Sequence, residues 1–64
     1  MLKINGELVD VAGVSVARYL SDNGYNITRV AVEINGDILP KSQYEVRLFE
    51  DEDKVEIVGF VGGG

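Results

Sequence analysis

The sequence contains no cysteine and no histidine, and it has a single proline. Without cysteine, neither a disulfide nor a zinc–thiolate site can stabilise the chain. Without histidine, the usual general base and the commonest metal ligand are both missing. The serines most relevant to nucleophilic catalysis, Ser15 and Ser42, both stand where a helical segment is predicted to begin. We therefore predict that the protein is not itself an enzyme and binds no cofactor.

Basic residues are scarce, since six Lys and Arg stand against eleven Asp and Glu, for a net charge of −5. Nucleic-acid binding needs clustered basic residues, and here they are scattered, so no nucleic-acid partner is predicted. No apolar run approaches the ~20 residues of a membrane span, and the N-terminus shows no signal-peptide pattern. The prediction is a cytoplasmic protein without a membrane partner, monomeric when free.

Sixty-four residues fit one domain. A chain this short buries only about 60% of its unfolded surface, so its stability is expected to be marginal. Hydrophobic residues make up 45% of the sequence, which is enough for a fold held by packing alone. We predict a domain over residues 1–58 and a flexible glycine-rich tail over residues 59–64.

The first predicted element is a hairpin around Asn5-Gly6, because this dipeptide suits a type I′ turn between two apolar alternations. A two-residue loop pairs Leu2 with Val9 and Ile4 with Glu7. The core face then contains Leu2, Ile4, Val9 and Val11, while Leu8 falls on the outer face.

A short helix is predicted next, with Ser15 as its N-cap. Val16, Tyr19 and Leu20 form an apolar stripe at helical spacing. Gly24 suits the left-handed position that ends a helix. Two to three turns are too few to persist alone, so this helix must pack on a sheet.

The remaining segments predict three more strands. Residues 30–34 alternate like a strand, and Asn35-Gly36 forms a second tight turn into residues 37–39, which Pro40 ends. Ser42 is predicted to cap a single helical turn. Val46, Leu48 and Phe49 are expected to bring the chain back across the core, ahead of a last strand over residues 55–58.

This order of elements excludes repeated βαβ units and predicts an α+β fold. One helix packs across one face of a mixed sheet of about five strands, with the first and last strands central. Before the last strand lies the acidic run 50–53, whose consecutive side chains cannot all converge on one ion. We predict a solvated turn there and no metal site.

The end of the chain is the remaining candidate for chemistry. An apolar strand runs into Gly62, Gly63 and Gly64, and a terminal carboxylate becomes an electrophile once it is coupled to AMP. Glycines suit a narrow channel in a partner's nucleotide site, because they have no side chain and adopt any backbone angle. Val58 and Phe60 fall on the open face of the sheet and are predicted to dock a partner; the alternative for Phe60 is that it folds over an edge of the core.

Three stretches together resemble the ThiS family of sulfur carrier proteins of thiamine biosynthesis, which have the ubiquitin-like β-grasp fold. Residues 31–44, AVEINGDILPKSQY, are similar to the family's A-V-x-(I/V)-N-G-x-(I/V)-(V/L)-P-(R/K)-S-Q-(W/Y) stretch. Residues 53–58 and the ending 61–64 match as well. One departure is Glu52, where relatives often have glycine, and it suggests a slightly different turn.

The resemblance implies that a ThiF-like, E1-like enzyme uses ATP to adenylate the carboxylate of Gly64. Sulfur from a cysteine desulfurase then converts this group to a thiocarboxylate, and a ThiG-like thiazole synthase takes the sulfur. Gly63 corresponds to the penultimate family glycine, and Gly62 to an extra one that some members carry. Two alternatives stay open: a carrier for molybdopterin synthase or another pathway, and a ubiquitin-like binding module that is never activated.

Overall fold

The computed structural model describes residues 1–59. Its strands are β1 (Leu2–Ile4), β2 (Glu7–Val9), β3 (Val30–Ile34), β4 (Asp37–Ile38) and β5 (Lys54–Gly59), its helix is α1 (Val16–Asp22), and short 3₁₀ helices span Ile27–Arg29 and Lys41–Gln43. The strands form one sheet in the order β2-β1-β5-β3-β4. β1 and β5 run parallel and the other neighbours run antiparallel, so the predicted mixed sheet with central first and last strands is confirmed.

Both predicted Asn-Gly turns are present. Asn5 and Gly6 have φ of 51° and 84°, and Asn35 and Gly36 have φ of 54° and 89°. Positive φ at both central positions is the type I′ geometry that matches the twist of paired strands. Leu2 pairs with Val9 and Ile4 with Glu7, which is the predicted register.

Helix α1 begins and ends as the sequence indicates. The Ser15 hydroxyl oxygen accepts a hydrogen bond from the Arg18 N–H at 3.1 Å, which satisfies a donor that the first helical turn leaves free. Gly24 follows the helix with φ of 77°. Val16 and Leu20 are fully buried beneath the helix, and Tyr19 stands edge-on to Phe49 with ring centroids 5.7 Å apart. None of the helices within residues 1–59 has the length and apolar character needed to span a bilayer.

The core lies between α1 and one face of the sheet. Its buried hydrophobic residues are Leu2, Ile4, Val16, Leu20, Val30, Val32, Ile34, Tyr44, Phe49, Val55 and Ile57. They come from β1, β3 and β5, from the helix and from the long connection before β5, whereas β2 and β4 contribute only half-buried or exposed positions. The three inner strands alternate between buried and more exposed positions, so the second face of the sheet is left open.

Two predictions in the connection before β5 are wrong. Val46 and Leu48 are exposed, and only Phe49 of that trio enters the core. The reason is that this segment pairs its backbone with residues 13–15 instead of crossing the core: Leu48 bridges Ser15, and the Phe49 N–H donates to Val14 O at 2.9 Å. Ser42 is not a cap either, because Pro40 takes the N-cap position of that 3₁₀ helix without a side-chain hydrogen bond.

The last strand reaches one residue beyond the predicted domain boundary at 58. Gly59 is still paired, opposite Val30, so β5 has six residues. It lies at the centre of the sheet between β1 and β3. Gly59, the first residue of the predicted tail, therefore belongs to the central strand of the fold.

Candidate functional site: the last strand and its anchors

The predicted modification site and tail, Gly62, Gly63 and Gly64, lie outside the described residues, as does Phe60. The structure describes the strand that leads to them. Val58, the other predicted docking residue, is 57% exposed on the open face, opposite Ala31 of β3. The site can therefore be built from how β5 is held and from the side chains on its open face.

The second Asn-Gly turn anchors the start of β5. The Asn35 side-chain oxygen accepts from the Lys54 N–H at 2.9 Å, and its amide nitrogen donates to Asp53 Oδ1 at 3.0 Å. The Asn35 backbone N–H also donates to Lys54 O at 2.8 Å. Asn35 thus makes three hydrogen bonds, one to Asp53 just before β5 and two to Lys54, the first residue of the strand.

Asp53 is the buried polar side chain at this end of the sheet, with 6% of its surface exposed. Its Oδ2 accepts from the Glu50 N–H at 2.9 Å and lies 3.1 Å from a guanidinium nitrogen of Arg47. Burial is the largest single influence on the carboxyl and by itself would raise its pKa. The donors from Glu50, Asn35 and Arg47 together outweigh burial and hold the pKa of Asp53 below its ordinary value.

The acidic run 50–53 therefore does not behave uniformly. Residues 50–52 are exposed, as a solvated turn requires, but Asp53 is buried and its carboxylate is held by polar neighbours, so the prediction is wrong for that residue. Among residues 1–59, no three acidic side chains are grouped as a metal site would need. Asp53 stabilises the turn from which β5 departs.

The first Asn-Gly turn anchors the middle of β5. The Asn5 side-chain oxygen accepts from the Ile57 N–H at 2.7 Å, and its amide nitrogen donates to Ile57 O at 3.3 Å. The backbone pairing of β1 with β5 ends at Ile4 and Val55, where the turn carries the chain away. The Asn5 carboxamide therefore takes the place of the next peptide group and extends this side of β5 to Ile57.

We predict that Asn5→Gly weakens this anchor without straining the turn, because glycine adopts positive φ readily. Loss of the two hydrogen bonds should lower the free energy of unfolding by about 1–2 kcal/mol, measured by denaturant titration. Hydrogen exchange should accelerate at the Ile57 amide. Asn35→Gly is the matched control, because it should accelerate hydrogen exchange at the Lys54 amide and not at the Ile57 amide. Equal exchange rates of the Ile57 amide in wild type and in Asn5→Gly would contradict the role assigned to Asn5.

The side-chain hydrogen bonds of Asn5 and Asn35 were not among the features predicted from the sequence. Each asparagine was predicted only to form a turn with the glycine that follows it. The turn itself gives no reason to expect a further role for the asparagine side chain. The signal was present, because Ile-Asn-Gly occurs twice, at residues 4–6 and 34–36, at the ends of the two strands that flank β5. However, only the order of the strands shows that both turns lie beside β5, so the hydrogen bonds of the two carboxamides could not be predicted without it.

Within residues 1–59, a central strand held on both sides, one helix across one face of the sheet and an open opposite face define a small ubiquitin-like β-grasp fold. The solved structures agree: the crystal structure of the thiamine biosynthesis protein ThiS from Geobacter metallireducens superposes with a TM-score of 0.77 at 33% identity, over 98% of this chain and 97% of that one. The profile of the ThiS family matches residues 2–64. The chain belongs to the ThiS family.

Two curated relatives extend the comparison. The chain is 45% identical over 64 residues to a thiazole synthase of Paramagnetospirillum magneticum, and it spans only 20% of that protein's length. It is 38% identical to the uncharacterized protein ycf40 of Porphyra purpurea, of which it covers 90%. A domain of this kind thus occurs both as nearly a whole protein and as a part of a thiazole synthase.

Proposed function

We propose that the protein is the sulfur carrier of thiazole formation in thiamine biosynthesis and that the carboxylate of Gly64 is its acceptor group. The observation that carries the proposal is that β5, which leads to the glycine tail, is anchored along its length. Asn35 holds its start and Asn5 holds it at Ile57, so the domain can present the tail in one direction. Family membership supports the same role.

The chemistry is that of a glycine carboxylate in a partner's nucleotide site. One carboxylate oxygen attacks the α-phosphorus of ATP, and pyrophosphate leaves, which gives an acyl adenylate. A sulfur nucleophile at the oxidation level of sulfide then attacks the acyl carbon, and AMP leaves with the oxygen. The product is a thiocarboxylate. The carrier supplies no catalytic side chain, which agrees with a protein that is a co-substrate and not an enzyme.

The partners proposed are a ThiF-like adenylating enzyme, a sulfur source fed by a cysteine desulfurase, and a ThiG-like thiazole synthase, acting in the cytoplasm. The relative in which a similar domain occupies 20% of a thiazole synthase supports the last of these. A carrier and an acceptor enzyme that act in sequence gain effective concentration when they share a chain. A carrier for another sulfur-transfer pathway is the alternative, and the genes adjacent to this one would discriminate between them.

The test is intact-mass spectrometry after incubation with ATP, the adenylating enzyme and a sulfur source. Replacement of one oxygen by sulfur, mapped to Gly64 by fragmentation, is the expected result. An unchanged mass with a partner that is active on another carrier would leave the chain a binding module without activation.

Val58 and Phe60 are proposed as docking residues beside the tail. Phe60→Ala should then weaken binding of the adenylating enzyme, measured by calorimetry, while the free energy of unfolding barely changes. Phe49→Ala is the matched control, because Phe49 is 1% exposed and its truncation should cost about 3–5 kcal/mol. A comparable loss of stability in Phe60→Ala would instead assign Phe60 to the core.

A further inference from the structure

The two sides of β5 are supported over different lengths. On the β3 side the pairing continues to Gly59, which lies opposite Val30. On the β1 side the strand pairing ends at Val55, opposite Ile4, because the first Asn-Gly turn then carries the chain away into β2. Beyond Val55, the direction of β5 on this side therefore depends on what takes the place of the missing strand.

The backbone groups that face β1 belong to every second residue of β5. The Lys3 N–H donates to Asp53 O at 2.9 Å, and the Asn5 N–H donates in the same way to the next residue but one, Val55. Because alternate residues of a strand direct their N–H and C=O groups to the same side, Ile57 is next in this series. The Asn5 carboxamide meets it, accepting from the Ile57 N–H at 2.7 Å and donating to Ile57 O at 3.3 Å.

Gly59 follows in the same series without such support. Within residues 1–59, no hydrogen bond joins its N–H or C=O to the β1 side. Apart from its neighbours in the chain, no described residue has an atom within 4 Å of the position that a Cβ would occupy on Gly59. Among the described residues, Asn5 is thus the last that holds this side of β5 before the tail.

The turn does not itself require the Asn5 side chain. Asn5 has a φ of 51°, which glycine adopts readily. The carboxamide adds a donor and an acceptor, and the two hydrogen bonds engage both polar backbone groups of Ile57. They therefore resist sliding and rotation of the strand at that residue, which is a task separate from forming the turn.

We propose that Asn5 is a positioning residue for the adenylation of Gly64, a proposal that rests on the function proposed above. The Asn5 carboxamide acts through Ile57 and fixes the direction in which the chain leaves the sheet. Five residues follow Gly59, and they span up to about 17 Å when extended. A change of direction of about 10° at Gly59 would move the end of such a tail by about 3 Å. A misplacement of about 1 Å can slow a reaction by about a hundredfold, so the direction of the strand affects the rate.

This role predicts an effect on the chemical step and not on binding. The docking residues proposed above, Val58 and Phe60, are unchanged by a substitution at Asn5, so the partner should bind the carrier equally well. A less firmly held strand places the bound carboxylate in the reacting position less often. The turnover number kcat should therefore fall while KM for the carrier stays the same.

The test compares Asn5→Gly with wild type as substrates of the ThiF-like adenylating enzyme, at a temperature where both are folded. We expect kcat for pyrophosphate release to fall about tenfold, with KM for the carrier unchanged. The NMR order parameter of the Gly59 amide should fall as well, because that residue loses the nearest support on the β1 side. Asn5→Asp can still accept from the Ile57 N–H but cannot donate to Ile57 O, so its kcat should be intermediate.

The matched control is Ser15→Ala, which removes the helix cap and destabilises the fold by a comparable amount without touching β5. It should keep the wild-type kcat and the wild-type order parameter at Gly59. An Asn5→Gly carrier that keeps the wild-type kcat, changes only in KM or leaves the Gly59 order parameter unaltered would overturn the proposal. A wild-type carrier that is not adenylated would instead refute the proposed function, and this inference with it.

Discussion

Deletion of Gly63 and Gly64 is expected to leave the unfolding of the protein unchanged and to abolish its adenylation. Within residues 1–59, the buried core and the anchors of β5 lie between Leu2 and Ile57, so we expect them to survive removal of the last two glycines. A chain two residues shorter loses up to about 7 Å of reach, which under the proposed function leaves the new terminal carboxylate short of the α-phosphorus. Thermal unfolding and intact mass after reaction with ATP measure the two effects.

The control for this deletion is Gly63→Ala, which keeps the length and the terminal carboxylate but adds a methyl group. If adenylation needs both the full length of the tail and a tail narrow enough for the channel to the nucleotide site, Gly63→Ala should react slowly. The deletion variant should not react at all. A deletion variant that forms the adenylate at the wild-type rate would show that Gly64 is not the acceptor.

Asp53→Asn is expected to destabilise the fold more than Asn5→Gly does. An amide cannot accept from the Asn35 amide, the Glu50 N–H and the Arg47 guanidinium together without turning an NH₂ group toward a donor. The guanidinium also loses its buried counter-charge. The expected loss is about 2–4 kcal/mol, measured by denaturant titration at neutral pH.

The pH dependence gives an independent readout of the same carboxylate. Because the folded-state pKa of Asp53 is lowered, its stabilisation is complete above the unfolded-state pKa and is lost as pH falls through the folded-state pKa. The gap in stability between wild type and Asp53→Asn should therefore narrow as pH drops below about 5. Asp10→Asn, at an exposed carboxylate, is the control and should track wild type. A gap that stays constant in acid would contradict the assigned role.

The parts of the fold that could be predicted from the sequence are those set by neighbours in the chain. Asn5-Gly6 and Asn35-Gly36 impose their turns locally, and Ser15 and Gly24 mark the helix ends in the same way. The alternation of apolar and polar residues then indicates which side chains of β1, β3 and β5 face the core. The anchoring of β5 depends instead on residues 18 to 52 positions apart, which no local pattern reports.

The connection before β5 was the least predictable segment for the same reason. The hydrophobicity of Val46 and Leu48 indicated burial, but the backbone of this segment pairs with residues 13–15 and turns both side chains outward. Glu52 is a related case: its φ of 70° is the left-handed conformation that glycine favours. The turn thus takes a glycine-like shape despite the glutamate, where the sequence suggested a different turn.

Sulfur donation is the most direct test of the central claim, that this chain is the carrier for thiazole formation. The carrier would be converted to its thiocarboxylate, purified and mixed with thiazole synthase and the other substrates of that enzyme, and its mass followed with time. We predict that the thiocarboxylate returns to the carboxylate only when the complete enzyme mixture is present, and that sulfur label appears in the thiazole. A thiocarboxylate that persists in the complete mixture, with an enzyme that accepts sulfur from another carrier, would contradict the carrier role.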